Sequence, residues 1–528
     1  MTDIANLTAF FNACNAAGIQ TTGPDDTSLV PACSTYIRDA NYWGDAVALA
    51  KQLDLRWCAF WASEVAGSEF EAFTCLAGDT YYLVLRTRFA ADHELPSLAG
   101  IYPAADRPER HAHDLLGVLF RQQPDTRRWT RHQAWSDKAF PLQTQYEVMT
   151  NNPTPPDDAY PFHSAQGAGV VEIPVGPVHA GIIEPGHFRF QAVGETVLNL
   201  EERLGYVHKG IEKIAVGRDA AGLARLAGRV SGDSTVTHTW AACQAMERAC
   251  RVHTPARGVY LRALMAERER IANHLGDIAA ICNDVAFTFA YYQLTRIKEQ
   301  WLRENNLAFG HRLMMDRIIP GGVVEDLATE TANEMIQHCQ RVKDEVNSLV
   351  KKFEDSETLE DRLMTTGRLL PEQARLLGTV GYVGKASGQG FDVRHNIPYP
   401  PYDKISVSVP TYYAGDVAAR AKIRADEIGV SLDLITHLIS TLPDGPHRTD
   451  WPNNLPQQCE GLGFIESWRG EIVTYVKLDA DGRIMRFYPR DPSWLVWPAL
   501  ECLIQDNIVP DFPVCNKSVN GSYSGHDL

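Results

Sequence analysis

The pattern of apolar and polar residues changes character near residue 151. Before this point, short aromatic and β-branched runs predict the strands of a small sheet at residues 57–61, 70–76 and 81–85. After it the pattern is mainly helical, with an apolar stripe of 3.6-residue period between residues 260 and 281. Further helices are predicted at 196–216, 235–250, 290–309, 325–354 and 413–441. Strand-like alternation returns at 461–490 around a turn at 479–482, whereas the first 45 residues yield no prediction.

A segment rich in proline and aspartate separates the two patterns. Residues 151–158 read Asn-Asn-Pro-Thr-Pro-Pro-Asp-Asp, which can continue neither a helix nor a central strand. We therefore predict an α+β fold in which a small N-terminal α+β domain spans 1–150 and a linker spans 151–165. A large, mainly α-helical domain with a small β element is predicted at 166–528. A chain of 528 residues is long enough to form two such cores.

Composition and charge exclude several classes of function. The net charge of −16 argues against a nucleic-acid partner, because phosphate binding needs a basic surface. The sequence contains no uninterrupted apolar run of about 18 residues, so no transmembrane segment of its own is predicted. None of the 11 cysteines forms a CxxC pair, and reduced, mostly buried thiols are expected. No GxGxxG fingerprint supports a nucleotide site.

The first domain carries two charged motifs. Residues 103–120 and the Pro124-Asp-Thr-Arg-Arg128 element that follows them resemble the signature of the complex I 30-kDa subunit. Without the resemblance, the charge pattern of residues 103–120 predicts a helix with a solvated face.

The second domain resembles the complex I 49-kDa subunit and the large subunit of group 4 nickel–iron hydrogenases. The matching segments are residues 176–189, 206–215, 230–250, 267–274, 415–420, 466–471 and 490–494, in the family's order. Fusion of the two subunit types in one chain is a feature of the formate hydrogenlyase and hydrogenase-4 large subunits. The chain is also similar to NADH-quinone oxidoreductase subunits of the C/D type.

The resemblance fails at the metal ligands. The family holds nickel and iron with four thiolates from two CxxC motifs. Here Ser231 and Ser234 stand at the first motif, and Ser522 and Gly525 stand at the second. Hydroxyl groups and a glycine are poor ligands for soft metals, so we predict no metal ligands and no nickel–iron centre in this chain.

Three residues match the family's catalytic groups. The resemblance identifies Glu212 as the proton-relay glutamate, His238 as the histidine after the first motif and Arg469 as the arginine over the metal. Other titratable groups expected near them are Asp233, His526 and Asp527. A carboxylate and a histidine in one pocket could relay protons near neutral pH. Alternatively, Glu212 pairs with a lysine at a helix surface, His238 is a core histidine and Arg469 forms a packing salt bridge.

A quinone site is the second chemical hypothesis. Complex I binds quinone with a tyrosine, whose aligned position here is Gly232, and with a histidine of the opening loop. The candidate cofactor-binding residues are therefore the loop histidines His179 and His187, together with Tyr523. A quinone head group needs a narrow cleft with one or two hydrogen-bond donors.

The resemblance implies a peripheral subunit of a multi-subunit oxidoreductase on the cytoplasmic side of the inner membrane. Its expected partners are an iron–sulfur small subunit, other hydrophilic-arm subunits and antiporter-like membrane subunits. No cofactor is expected in this chain, and the iron–sulfur cluster belongs to the small subunit. The chain would pass electrons to a quinone while its partners translocate ions, or it would serve as a catalytically silent scaffold. The missing cysteines disfavour an active hydrogenase.

Overall fold

The structure, a computed structural model, describes residues 2–25, 28–65, 68–132, 135–147, 160–179, 183–452 and 455–528. Helices and strands occur both before and after residue 150, so the predicted α+β class is confirmed. The predicted linker at 151–165 lies mostly outside the described residues, and residues 160–165 belong to neither a helix nor a strand.

The first part of the chain forms a four-stranded sheet. Its elements are α1 Thr2–Ala16, β1 Ala32–Tyr36, α2 Trp43–Gln52, β2 Arg56–Val65, β3 Glu69–Ala77, β4 Tyr82–Ala90, β5 Glu94–Pro96, α3 Asp106–Leu116 and β6 Leu119–Arg121. The strand order is β1-β4-β3-β2, with β1 parallel to β4 and the other pairs antiparallel. The three strands predicted from aromatic and β-branched runs lie in β2, β3 and β4 and are confirmed.

The second part combines a helical core with two three-stranded sheets. Its first elements are β7 Val170–Val175, β8 His187–Val193, β9 Thr196–Arg203, α4 Ile211–Ala215, α5 Ala220–Ala227, α6 Thr235–Cys250, α7 Ala256–Asp284, α8 Thr288–Phe309, β10 Ile318–Ile319, β11 Gly322–Val323 and α9 Thr329–Glu354. The others are α10 Glu357–Leu363, α11 Pro371–Leu376, α12 Gly381–Ala386, α13 Val393–Asn396, α14 Val417–Ser440, β12 Cys459–Ser467, β13 Gly470–Leu478, β14 Ile484–Arg490, α15 Ser493–Leu503, α16 Phe512–Val519 and α17 Tyr523–Asp527. Within the described ranges, no helix has the length and apolar character to cross a membrane.

Most long helices lie where the periodicity predicted them, but the helix predicted at 196–216 is wrong. Residues 196–203 form β9, which pairs antiparallel with β8, and a short helix follows only at α4. Val197 and Leu200 of this strand are buried. Pairing with β8 therefore decides the conformation of this segment, whatever its local helical preference.

The helix predicted with a solvated face is also different in the structure. It is α3, and most of its charged side chains are buried. Arg107 pairs with Glu202 at 3.0 Å, and Arg110 pairs with Asp125 at 2.9 Å. The partner Glu202 lies on β9, so α3 is enclosed between the two parts of the chain. Ion pairing compensates for the loss of hydration of these charges.

A buried carboxylate joins the two parts of the chain. Glu471 of β13 accepts hydrogen bonds from Arg56 and from the Tyr82 hydroxyl, both at 2.8 Å, and from Arg490 at 2.5 Å. The Trp61 ring of β2 also stacks on Tyr488 of β14, with 5.5 Å between the ring centroids. The two parts therefore share one hydrophobic cluster, and a second cluster lies almost entirely within the first part.

We expect Glu471→Gln to lower the free energy of unfolding by roughly 3–5 kcal/mol, because it leaves two largely buried guanidinium groups without their counter-charge. Chemical denaturation of the full chain, followed by circular dichroism, measures this effect as a lower midpoint. The matched control is Glu345→Gln, which breaks the exposed ion pair with Arg296 and should cost less than about 1 kcal/mol. Equal midpoints for the two variants would contradict the assignment.

The same carboxylate predicts a pH dependence. Burial raises the pKa of Glu471, but the charges of Arg56 and Arg490 lower it below its ordinary value of 4.5. A group whose pKa is depressed by folding stabilises the fold above the unfolded-state pKa. Its contribution is therefore present above about pH 4.5 and is lost as the pH falls through the lower folded-state pKa. Glu471→Gln should flatten this acid limb of the stability curve.

Candidate functional site

The two motifs that carry the substituted ligand positions meet in the fold. Ser231 and Ser522, which are 291 residues apart, are hydrogen-bonded with 2.8 Å between their hydroxyl oxygens. The backbone N–H of Gly525 donates to the Ser522 hydroxyl at 2.9 Å. The fourth substituted position, Ser234, accepts a hydrogen bond from Arg469 at 3.3 Å and lies beside the other three positions. All four residues are buried.

An ion pair lies over this group of residues. The Arg469 guanidinium donates to both carboxylate oxygens of Asp233, at 2.7 and 2.6 Å. Its Nε donates to the carbonyl oxygen of Asn520 at 2.7 Å, so the guanidinium connects both motifs. Burial raises the pKa of Asp233, but the Arg469 charge and hydrogen bonds lower it below its usual range. Asp233 is therefore a carboxylate near neutral pH.

His238 forms a second buried pair beside the first. Its Nε2 lies 2.8 Å from a carboxylate oxygen of Asp491, and both side chains are buried. Burial raises the pKa of Asp491, but the His238 hydrogen bond and charge and the Arg469 charge hold it well below its usual range. A Cβ atom at Gly525 would lie 2.7 Å from the Asp491 carboxyl carbon, so the glycine leaves space for this pair.

The helix packing fixes the first motif. Glu269 of α7 accepts hydrogen bonds from the backbone N–H groups of Val236 and Thr237, at 2.7 and 3.2 Å. These N–H groups belong to the first turn of α6 and have no partner within the helix. The carbonyl oxygen of Asp233 accepts from Asn273 at 2.7 Å and from Trp468 at 3.0 Å. Contacts from α7 and from the β12–β13 turn therefore hold residues 231–234 in place.

Two glycines allow the backbone of Arg469 to approach α12. Gly381 has a φ of +60°, and a Cβ atom there would lie 1.9 Å from the Arg469 carbonyl oxygen. Gly470 has a φ of +129°, and its Cβ atom would lie 2.8 Å from the Gly381 nitrogen. This close contact sets the direction of the β12–β13 turn, from which Arg469 reaches Asp233.

A cavity of about 380 Å³, here called the inner cavity, opens onto the ion pair. It is lined by Ile183, Glu184, Ser231, Gly232, Asp233, Arg469, Asn516, Lys517, Asn520, Gly521, Ser522, Tyr523 and Ser524. Of the predicted cofactor-binding residues, Tyr523 belongs to this lining. Its ring packs edge-on against Trp497, with 4.7 Å between the centroids, and burial raises its pKa.

Glu212 lies in a different cluster from the other two predicted catalytic residues. Its carboxylate bonds to His111 of α3 at 2.6 Å and to Arg486 of β14. It is buried, so the alternative in which it pairs with a lysine at a helix surface is wrong. Its role as a proton relay stays a prediction. Burial raises its pKa, but the charges of Arg486 and His111 lower it to about 2. Glu212 joins the two parts of the chain instead of facing the inner cavity.

The loop histidines bond to their own loop. His179 donates to the carbonyl oxygen of Gly186 at 2.8 Å, and His187 donates to that of Gly176 at 3.1 Å. His187 also accepts from Arg189 at 3.4 Å, so both of its ring nitrogens have partners. Neither imidazole belongs to the lining of the inner cavity.

The other two titratable groups considered, His526 and Asp527, anchor the last helix. His526 stacks on Trp494, with 4.4 Å between the ring centroids. Asp527 accepts hydrogen bonds from the backbone N–H groups of Gly205 and Val207 at 2.9 and 3.0 Å.

Sequence reasoning missed the role of Asp491. It stands in the 490–494 segment that carried the resemblance, directly after β14, but no motif linked it to a histidine 253 residues away. Within the described ranges, no three histidine, cysteine, aspartate or glutamate side chains converge in an arrangement that could hold a metal ion.

Family models match three stretches of the chain. Residues 30–152 match the respiratory-chain NADH dehydrogenase 30 Kd subunit, and residues 284–527 match the 49 Kd subunit of the same enzyme. Residues 209–276, which include the first substituted motif, match the nickel-dependent hydrogenases.

Similar proteins include both hydrogenase and complex I subunits. The chain is 29% identical to formate hydrogenlyase subunit 5 of Escherichia coli strain K12 over 455 residues, covering 85% of this chain and 80% of the relative. It is also 29% identical to hydrogenase-4 component G of the same organism over 462 residues, with 87% and 80% coverage. Identity to the C/D-type NADH-quinone oxidoreductase subunit of Phocaeicola vulgatus is 27% over 478 residues, with 87% and 92% coverage.

The fold is also found among solved structures. A chain of the archaeal membrane-bound sulfane sulfur reductase, a respiratory membrane complex, matches with a TM-score of 0.64 and 22% identity. The match covers 68% of this chain and 99% of that one. The chain therefore carries a domain of the complex I 30-kDa type and a domain of the complex I 49-kDa type, and it is similar to subunits of hydrogenase and NADH-quinone oxidoreductase complexes.

Proposed function

We propose that this chain is the redox-linked large subunit of a membrane-associated, complex-I-like oxidoreductase that works without its own nickel–iron centre. In this proposal electrons reach the inner cavity from an iron–sulfur small subunit and reduce a quinone. Antiporter-like membrane subunits then couple the reaction to ion translocation. The chain itself would lie at the cytoplasmic face of the inner membrane. The similar proteins named above are subunits of hydrogenase and NADH-quinone oxidoreductase complexes, which supports the assembly.

The observation that carries the proposal is the direct hydrogen bond between Ser231 and Ser522. A nickel–iron centre needs four soft thiolates, and these positions offer hydroxyl groups and a glycine. With 2.8 Å between their oxygens, the two serines bond to each other across the space between the motifs. The Asp491 carboxylate occupies the space beside Gly525 where a fourth side chain would begin. The residues present therefore do not fit such a centre.

The chemistry of the inner cavity supports a small carbonyl acceptor. Its volume of about 380 Å³ suits one ring-sized ligand. Arg469 supplies a donor for a carbonyl oxygen, and Asp233 fixes the guanidinium in place. The Asp233 side chain is 39% exposed, so the ion pair faces the cavity and can contact a ligand.

A catalytically silent scaffold is the second candidate. The charged groups of the site are paired with one another, since Asp233 pairs with Arg469 and His238 pairs with Asp491. Such a cluster is stable without a ligand, and this observation favours a role in assembly and coupling.

The complex isolated from nickel-supplemented cells should contain far less than one nickel per chain, because the thiolates that would retain the metal are absent. Mass-spectrometric metal analysis measures this directly, with the iron of the small subunit as an internal reference. Stoichiometric nickel, or hydrogen evolution by the complex, would contradict the proposal.

Asp233→Asn should slow quinone reduction by about 100-fold, because it removes the carboxylate that orients Arg469 towards the ligand. The rate is measured with the purified complex, and size-exclusion chromatography establishes that the complex assembles. Since the pKa of Asp233 lies below its usual range, the wild-type rate should show no acid limb from this group between about pH 5 and pH 8.

Two control variants accompany the Asp233→Asn test, which separates the catalytic role from the scaffold role. Asp54→Asn breaks an exposed ion pair with Arg375 and should leave the rate unchanged. Glu212→Gln should lower stability and assembly, because Glu212 bonds to His111 and Arg486 outside the cavity. An assembled Asp233→Asn complex that reduces quinone at the wild-type rate would refute the catalytic role and favour the scaffold.

A further inference from the structure

A second cavity lies next to the inner cavity. This outer cavity has a volume of about 710 Å³, and its lining includes Val207, Lys209, Arg229 and Met315. The two cavities share three lining residues, Glu184, Gly232 and Ser524. These three residues therefore form the boundary between the two cavities.

The other two boundary residues are hydrogen-bonded to each other. The backbone N–H of Ser524 donates to the Glu184 carboxylate at 3.1 Å. Ser524 belongs to α17, which follows Ser522 directly, so it is part of the second substituted motif. Gly232 belongs to the first motif. Residues of both motifs therefore contribute to the boundary.

Gly232 differs from the other glycines that line these cavities. A Cβ atom at Gly232 would meet no atom within 4 Å, and its φ lies outside the range that disfavours other residues. A Cβ atom at Gly521 in the inner cavity would lie 2.6 Å from Trp497, and one at Gly228 in the outer cavity would lie 2.7 Å from Thr235. Neither packing nor backbone conformation requires glycine at 232. A side chain at 232 would enter open space at the boundary.

The side chains that line the two cavities differ in chemistry. The inner cavity presents Arg469 and serine hydroxyl groups, which suit a carbonyl oxygen. The outer cavity combines the apolar side chains of Val207 and Met315 with Lys209, whose ammonium donates to the carbonyl oxygens of Arg229 and Val230 at 2.8 and 3.0 Å. A molecule with a polar ring and a bulky, less polar substituent would match both ends.

We propose that a passage beside Gly232 connects the two cavities and lets a substituted quinone place its ring in the inner cavity and its substituent in the outer cavity. In this proposal Gly232 determines the size of the acceptor. This inference rests on the proposed function and adds the position that selects the substrate. It predicts that a side chain at 232 discriminates between quinones by size without affecting the fold.

Gly232→Leu should lower kcat/KM for decylubiquinone by about tenfold or more, because the new side chain fills the passage. Unsubstituted p-benzoquinone should lose much less. The apparent Tm should stay at the wild-type value, since the added atoms enter open space. The matched control Gly521→Ala should lower the Tm, because its Cβ atom collides with Trp497. Both assays use the assembled complex.

A second measurement does not depend on turnover. The thiol introduced by Gly232→Cys should react with maleimides faster than the native cysteines, most of which are buried. Decylubiquinone should slow this labelling. The wild-type complex gives the background from the half-buried native thiols.

The outcomes separate the two proposals. If the wild-type complex reduces quinones and Gly232→Leu keeps the wild-type kcat/KM for decylubiquinone, the role of Gly232 is refuted and the proposed function stands. If the wild type reduces no quinone, the proposed function fails. Labelling at 232 that decylubiquinone does not slow would overturn the role of Gly232 in either case.

Discussion

The ion pair between Asp233 and Arg469 is the interaction on which the site depends. It joins the turn before α6 to the β12–β13 turn, which lies 236 residues further along the chain. Its guanidinium also holds the carbonyl oxygen of Asn520, at the start of the second motif. Three distant segments therefore meet around one charged group. Buried guanidinium groups need such partners, because an unpaired charge in the interior costs several kcal/mol.

Buried carboxylates also need charged or polar partners, and they find these partners in both parts of the chain. Glu471 collects two arginines and a tyrosine from both parts, and Glu212 bonds to His111 of α3. These pairs are specific in geometry, since each carboxylate needs its donors on defined sides. Directional hydrogen bonds and ion pairs, as well as apolar packing, therefore hold the first part against the second part, which contains the site.

Local periodicity predicted much of the fold, because burial on one side leaves a regular pattern in the sequence. The helix at 235–250 and the strand at 70–76 follow from it. The segment 196–216 does not, since its strand is stabilised by pairing with β8. The substituted motifs could be recognised from their positions in the chain. The partner of His238 could not, because Asp491 is 253 residues away and only the folded chain brings the two together.

The space beside Gly525 has a consequence for how this protein could change over time. Asp491 fills the volume that a side chain at 525 would need, and His238 is bonded to Asp491. A thiol introduced at that position would first have to displace this pair, at a cost in stability and with no metal yet gained. A cysteine at 525 therefore requires a compensating change at Asp491, so the substitution is not neutral on its own.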